Sequence, residues 1–217
     1  MSAQALIIFD GSEASLIAAW IESCERVRSR PGTAIASESA GRPVLFVTVT
    51  ADHFVTGAAG NTAPSLCDER AFRCGELCEA EIIHDAGESV QGDLPPGVHE
   101  TRLLLRAGMA ALQRGCGRVV WPVVAPDRDA RTLDRVSEVT DRAMLVGRLL
   151  SLDAEAQGLP GIVIETPFAD LEAWQVRDLG RDVDTPLSLM GGVVTQPIDK
   201  PRSGVDGRGS QSPAGAE

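Results

Sequence analysis

Lysine is nearly missing from this chain. Of its 20 cationic residues 19 are arginines, and the single lysine, Lys200, sits in a Pro- and Gly-rich stretch close to the C-terminus. Chemistry that needs a lysine inside a folded domain is thereby disfavoured: a phosphate-loop lysine, a Schiff base, or an ammonium clamp on a leaving pyrophosphate. Arginine supplies charge in its place, but as a planar fork and not as a compact donor. Tyrosine is absent and aromatic residues make up 4% of the chain, so the core that a 43% hydrophobic content can fill is aliphatic. No basic run interrupts a formal charge of −11. That balance speaks against nucleic acid and against a membrane surface as partners, because both grips need clustered cations.

Long apolar runs are missing too, and no segment approaches the roughly 20 residues of a membrane span. The opening MSAQALIIFDGSE has no basic region and only a short apolar stretch, unlike a signal peptide. Five cysteines, an odd number without framework spacing, point to a reducing compartment, and the expected location is cytoplasmic.

What the chain does have is alternation. The pattern predicts strands over 5–9, 44–49, 81–84, 118–124 and 161–167. Between and after them it predicts helices over 13–30, 68–80, 98–114, 129–152 and 169–180, the last with Gly180 as its C-cap. Strands that read as unbroken apolar runs are covered on both faces. The expected fold is therefore a three-layer αβα, doubly wound, Rossmann-like domain around a five-stranded parallel sheet. Ligands on such sheets bind beyond the carboxyl ends of the strands, where strand order reverses. Residues 10–15, 50–61 and 124–128 should then share one rim. One domain is expected over 1–195, followed by a disordered tail over 196–217, which is poor in apolar residues.

Three phrases carry a resemblance. IIFDGSEASLIAAW runs from a strand through a polar turn into a helix. LPPGVHETRLLLRAGMAAL leads into another helix, and IETPFADLEAWQVRDLGRDVDTPLSL closes the domain. Over roughly 5–193 the chain resembles the PP-loop ATP pyrophosphatases, and within them the 7-cyano-7-deazaguanine synthases of queuosine biosynthesis. The last phrase is the most specific, its Thr166, Pro167, Asp170, Leu179, Gly180 and Pro186 falling at the family's spacing. The resemblance implies the adenine nucleotide alpha hydrolase-like fold, an ATP site at the first turn, and magnesium. An active member would adenylate a carboxylate at the expense of ATP, and here would make a deazapurine nitrile from the acid and ammonia.

Where the family has S-G-G-x-D-S, this chain has Asp10, Gly11, Ser12, Glu13, Ala14 and Ser15. Only Gly11 and Ser15 match. Ser12 adds a side chain where a backbone must approach phosphate. Asp10 and Glu13 bring carboxylates to the positive end of a helix, where they satisfy it and repel phosphate. Ala14 removes the family's acid. The arginine and asparagine of the P-G-R-N stretch are Val98 and His99, and the lysine after the T-P-L phrase is Ala173. The zinc cysteines have no counterpart, so no zinc is expected. The nucleotide site implied by the resemblance comprises Asp10, Gly11, Ser12, Glu13 and Ser15, with Asp127, Arg128 and His99 on the substrate side.

The remaining candidates have plainer roles beside them. Cys67, Cys74 and Cys78 share one helix face if the helix reaches back to Cys67, as core thiols or as soft metal ligands, with packing expected. Cys116 lies in a turn. His53, His84 and His99 sit in loops or at a strand end, as hydrogen-bonded loop histidines or as acid–base groups. Asp129 reads as a helix N-cap. Asp134, Arg135, Glu138, Asp141, Arg142 and Arg148 read as a solvated face with i,i+4 pairs, and Trp174 as a packing anchor. Three functions stay open: an ATP-dependent ligase working through altered ligands, a protein that binds a nucleotide or deazapurine without turnover, and a structural subunit whose apolar helices form a homodimer. An inactive or repurposed relative of the synthases is the expected one.

Overall fold

The computed structural model describes residues 4–28, 42–48, 66–85, 95–124 and 132–190. Five parallel strands, β1 (Ala5–Phe9), β2 (Val44–Val47), β3 (Glu81–His84), β4 (Arg118–Val120) and β5 (Val163–Glu165), form one sheet in the order β3-β2-β1-β4-β5. Central β1 is buried throughout, with Leu6 beside Val44 on one side and Val119 on the other. The unbroken apolar runs thus mean what they predict. Helices α1 (Glu13–Arg28), α2 (Leu66–Cys78) and α5 (Ala173–Asp182) pack on the face of Ile7 and Phe9, where Ile17, Ala71, Cys74 and Val176 fill the core. Helices α3 (Pro96–Gln113) and α4 (Thr132–Ala156) cover the opposite face, closing Leu104, Ala107, Val139 and Leu150 over Leu6 and Ile8. Each fully buried Leu, Ile or Val contributes about 1.5–3 kcal/mol.

Several boundaries differ from expectation for identifiable reasons. β4 stops at Val120 instead of 124 because Pro122, which has no N–H, follows at once. Of the expected strand over 161–167, only Val163–Glu165 is strand. The closing helix begins at Ala173, later than 169, and Gly180 lies inside it and is buried. Its C-terminal turn is made by Asp184, which takes a positive φ of 55°. Thr185 N–H then reaches Gly180 C=O at 2.8 Å and Asp184 N–H reaches Arg181 C=O at 3.1 Å, the Schellman pattern. The expectation that Gly180 caps this helix is therefore corrected: a Cβ there would lie 2.7 Å from Ile17 Cδ1, and the glycine serves packing between α5 and α1. Trp174 is not a core anchor either. It is only partly buried, and its indole N–H donates to Glu172 Oε2 at 2.6 Å.

Candidate functional site

β1 runs directly into the turn that starts α1. Gly11 takes a φ of +79°, a conformation that glycine enters freely, and Cys67 packs against its α-carbon. Ser12 N–H donates to Asp10 Oδ1 at 2.9 Å, and Ser15 N–H to Ser12 Oγ at 3.2 Å. Ser12 is thus the N-cap of α1, its side chain satisfying the third helical amide. The fully buried Ser15 returns its hydroxyl to Ser12 C=O at 2.9 Å. The Gly11 carbonyl accepts from Arg70 Nη1 at 2.8 Å, which ties the turn to α2. Below it, burial and then the carboxylates of Asp10 and Asp68 push the Cys67 thiol up to about 11.

The acids of this turn divide the work differently from expectation. Asp10 accepts one amide, but Glu13 turns away from the helix tip. Its Oε2 accepts from Arg177 Nε at 2.8 Å and lies 2.8 Å from Arg177 Nη2, on α5. The cap is a serine, not a carboxylate.

A cavity of about 530 Å³ opens at this turn, beyond the carboxyl ends of β1, β2 and β4. The chain order reverses between β1 and β4, so the cavity sits at the switch point of the sheet. Ile8, Leu103, Trp121, Val123 and Val176 make its walls apolar, and Asp10, Ser12, Glu13, Thr48 and Glu100 are polar around it. Among the described residues lining it, none is cationic. Ala14 and Ala173 also line it.

Of the expected site residues, Asp10, Gly11, Ser12, Glu13 and Ser15 come together in one turn; Asp10, Ser12 and Glu13 face the cavity. His99 is exposed in the first turn of α3 and does not line the cavity, whereas Glu100 does. Asp127, Arg128, Asp129, His53 and the stretch 50–61 lie outside the described residues, as does the tail over 196–217. His84 is exposed, with Nδ1 3.5 Å from Asp68 Oδ1. Cys67, Cys74 and Cys78 all face the core from α2, which does reach back past Cys67. No group of three metal-ligating side chains occurs among the described residues.

Glu100 was not foreseen, although a signal existed. It heads the stripe that continues through Leu104, Ala107 and Ala111, the buried positions of α3, so a carboxylate there must point inward with the stripe. Two guanidinium groups of α4 hold it: Arg135 Nη1 reaches Oε2 at 3.2 Å and Nη2 bonds Oε1, while Arg142 Nε lies 3.3 Å from Oε2. Arg142 also donates to the carbonyl of Gly97 and to Thr101 Oγ1. The expected solvated face of α4 is corrected in part: Arg135 keeps a pair along its own helix, with Glu138 Oε2 3.7 Å from Nη1, but both it and Arg142 cross to Glu100 on α3. Asp141 and Arg148 do remain exposed.

Mg²⁺ takes octahedral oxygen ligands; Asp10 and Glu13 both line the cavity, and one of the two Glu13 carboxylate oxygens is already held by two nitrogens of Arg177.

No protein-family model and no characterised protein matches the sequence. Among solved structures, the U34-tRNA thiolase NcsA from Methanococcus maripaludis with its 4Fe-4S cluster is similar at 13% identity and a TM-score of 0.45. The alignment covers 87% of this chain, which spans 63% of that chain's length. Among the described residues, no helix is long and apolar enough to cross a membrane.

Proposed function

We infer that the chain is a repurposed relative of the PP-loop deazaguanine synthases whose cavity takes a nucleobase or nucleoside and no longer holds a triphosphate. One observation carries this reading. The turn that would cradle phosphate spends the amides of Ser12 and Ser15 on Asp10 and Ser12, and no described cation lines the cavity beside it, Arg177 being held by Glu13 and Arg135 and Arg142 by Glu100. Phosphate at a helix N-terminus needs free amides and a positive field; the two amides already spent and the Asp10 carboxylate at the turn work against both. A flat, donor-rich heterocycle meets the opposite conditions: apolar walls for its faces, and Asp10 and Thr48 as acceptors for its N–H groups.

Calorimetric titration tests it. Adenosine or 7-cyano-7-deazaguanine should bind, while ATP with magnesium should give no heat at about millimolar concentration, where even weak sites register. ATP binding more tightly than adenosine would overturn the reading. Pyrophosphate release from ATP, 7-carboxy-7-deazaguanine and ammonia would establish a working ligase instead. The variant Asp10→Ser/Ser12→Gly/Ala14→Asp should gain ATP binding that the parent lacks. Replacing a serine cap by glycine costs only a few tenths of a kcal/mol; because Ala14 is buried at the cavity wall, a circular dichroism spectrum of the variant accompanies the titration to show that Ala14→Asp is accommodated.

A further inference from the structure

The outward side of α4 carries large apolar residues that no other described residue covers. Leu145 is 66% exposed, Met144 62%, Leu149 50% and Leu152 48%, and Val163 on the adjoining β5 is 57% exposed. β5 is the edge of the sheet. A shallow groove of about 340 Å³, lined by Met144, Gly147, Arg148, Ser151 and Val163, joins helix and strand into one surface. Scattered exposed leucines are ordinary, but a contiguous patch beside an unpaired sheet edge marks an interface.

The charges on the same side of α4 identify the occupant. Asp141 and Arg148 lie on the 141, 145, 148, 152 stripe, two turns and about 10 Å apart, with Met144 and Leu145 midway between them. Asp141 is exposed and has no ion pair among the described residues. Among the described residues Arg148 pairs with Glu155 at 3.6 Å, with both side chains more than half exposed. A two-fold axis through the midpoint would lay α4 antiparallel on its own copy. It would set each Met144–Leu145 pair against the other and each Arg148 against the other copy's Asp141. A parallel pairing would set like against like. Self-complementarity of this kind is what an isologous interface requires.

We propose that the chain forms a two-fold homodimer through α4 and the β5 edge, with apolar contact around Leu145 and the register set by reciprocal Arg148–Asp141 pairs. Sedimentation velocity on the full chain, over about 1–100 μM, tests it. The wild-type chain should sediment as a dimer. Leu145→Asp should weaken association by about 100-fold or more, with an unchanged circular dichroism spectrum, because the side chain is outside the core. Arg148→Asp should weaken it by about tenfold, and the double variant Asp141→Arg/Arg148→Asp should recover most of that loss. A monomeric wild-type chain overturns the proposal and leaves the surface to residues 191–217 or to a different protein. So does a dimer indifferent to Leu145→Asp, and a double variant no better than the single one refutes the antiparallel register.

Discussion

Arg177 closes on Glu13 across 164 residues of sequence, with Nε and Nη2 both 2.8 Å from the same carboxylate oxygen. The contact fastens the start of α1 to α5 and fixes what the first turn can do. With its charge matched there, Glu13 leaves the cap of the helix to Ser12. Because the pair is partly buried, at 20% and 34% side-chain exposure, Arg177→Ala leaves a half-desolvated carboxylate behind. The expected loss is about 1 kcal/mol, a fall in Tm of roughly 2–4 °C for a domain of this size. Thermal unfolding of Arg177→Ala beside Glu13→Gln/Arg177→Ala checks it. The double variant should recover part of the loss, and equal melting of all three proteins would show the pair to be inert.

A second network makes stability depend on pH. Arg118 donates to Glu165 through Nε at 3.0 Å and Nη2 at 2.6 Å, and to Glu22 through Nη2 at 3.1 Å and Nη1 at 3.3 Å. Burial lifts the Glu22 carboxyl above its ordinary range. Arg118 opposes the shift, while Glu25 and Glu165 add to it. A carboxyl raised in the folded state binds its proton more tightly there than in the unfolded chain. Its contribution is full below the unfolded value, near 4.5, and is lost as pH rises through the raised folded value. Glu22→Gln, neutral throughout, should therefore gain stability relative to the wild-type protein between pH 4 and pH 7. Denaturant titrations at several pH values would measure the difference, and one that stays flat would remove Glu22 as the source.

The sheet was legible because its signal is redundant. The apolar runs of β1, β2 and β4, each without alternation, leave little choice but strands covered on both faces, the short edge strands β3 and β5 follow from their places between helices, and the turn at Asp10 to Ser15 follows from its place after β1. Contacts made by long side chains between helices were not legible. Arg135 and Arg142 look like members of a solvated face until α3 is packed beside them, and no periodicity reveals that Glu100 gathers both. Gly180 has the composition of a cap, but a cap needs a backbone conformation and not a residue type. Asp184 adopts that conformation, which freed the glycine for close contact with Ile17.

Thiol reactivity should separate one cysteine from four. All five are free; Cys67, Cys74, Cys78 and Cys116 are buried, and only Cys24 is partly accessible. The hydrogen bond between Cys74 and Cys78 raises Cys74, as burial does, and lowers Cys78, whose protection is therefore its burial. Burial lifts Cys67 and Cys116 to about 11. At pH 8 a thiol with that value is about a thousandfold depleted in the reactive thiolate. Ellman's reagent should therefore find one fast thiol per native chain and five after guanidinium unfolding. Rapid labelling of Cys67 would mean that the turn above it opens.

Gly180→Ala provides a test of the packing between α1 and α5, because two effects of known sign compete there. In a helix interior alanine is favoured over glycine by about 1 kcal/mol, so at an open position the change would raise Tm. Here the added Cβ would lie 2.7 Å from Ile17 Cδ1 and 2.9 Å from its Cγ1, and Ile17 is completely buried. Its ring of core neighbours gives it little room to withdraw, and overpacking of this kind costs about 1–3 kcal/mol. The clash should win, leaving a net loss of about 1 kcal/mol by the same reckoning and a lower denaturation midpoint. Ile17→Val, which shortens the opposing side chain by the atom in closest contact, should relieve the penalty. The double variant Ile17→Val/Gly180→Ala is then expected to lose less than the two single losses added together. Simple additivity, or an alanine variant as stable as the parent, would mean that α5 shifts freely against α1, and the seat of Arg177 on Glu13 would be equally loose.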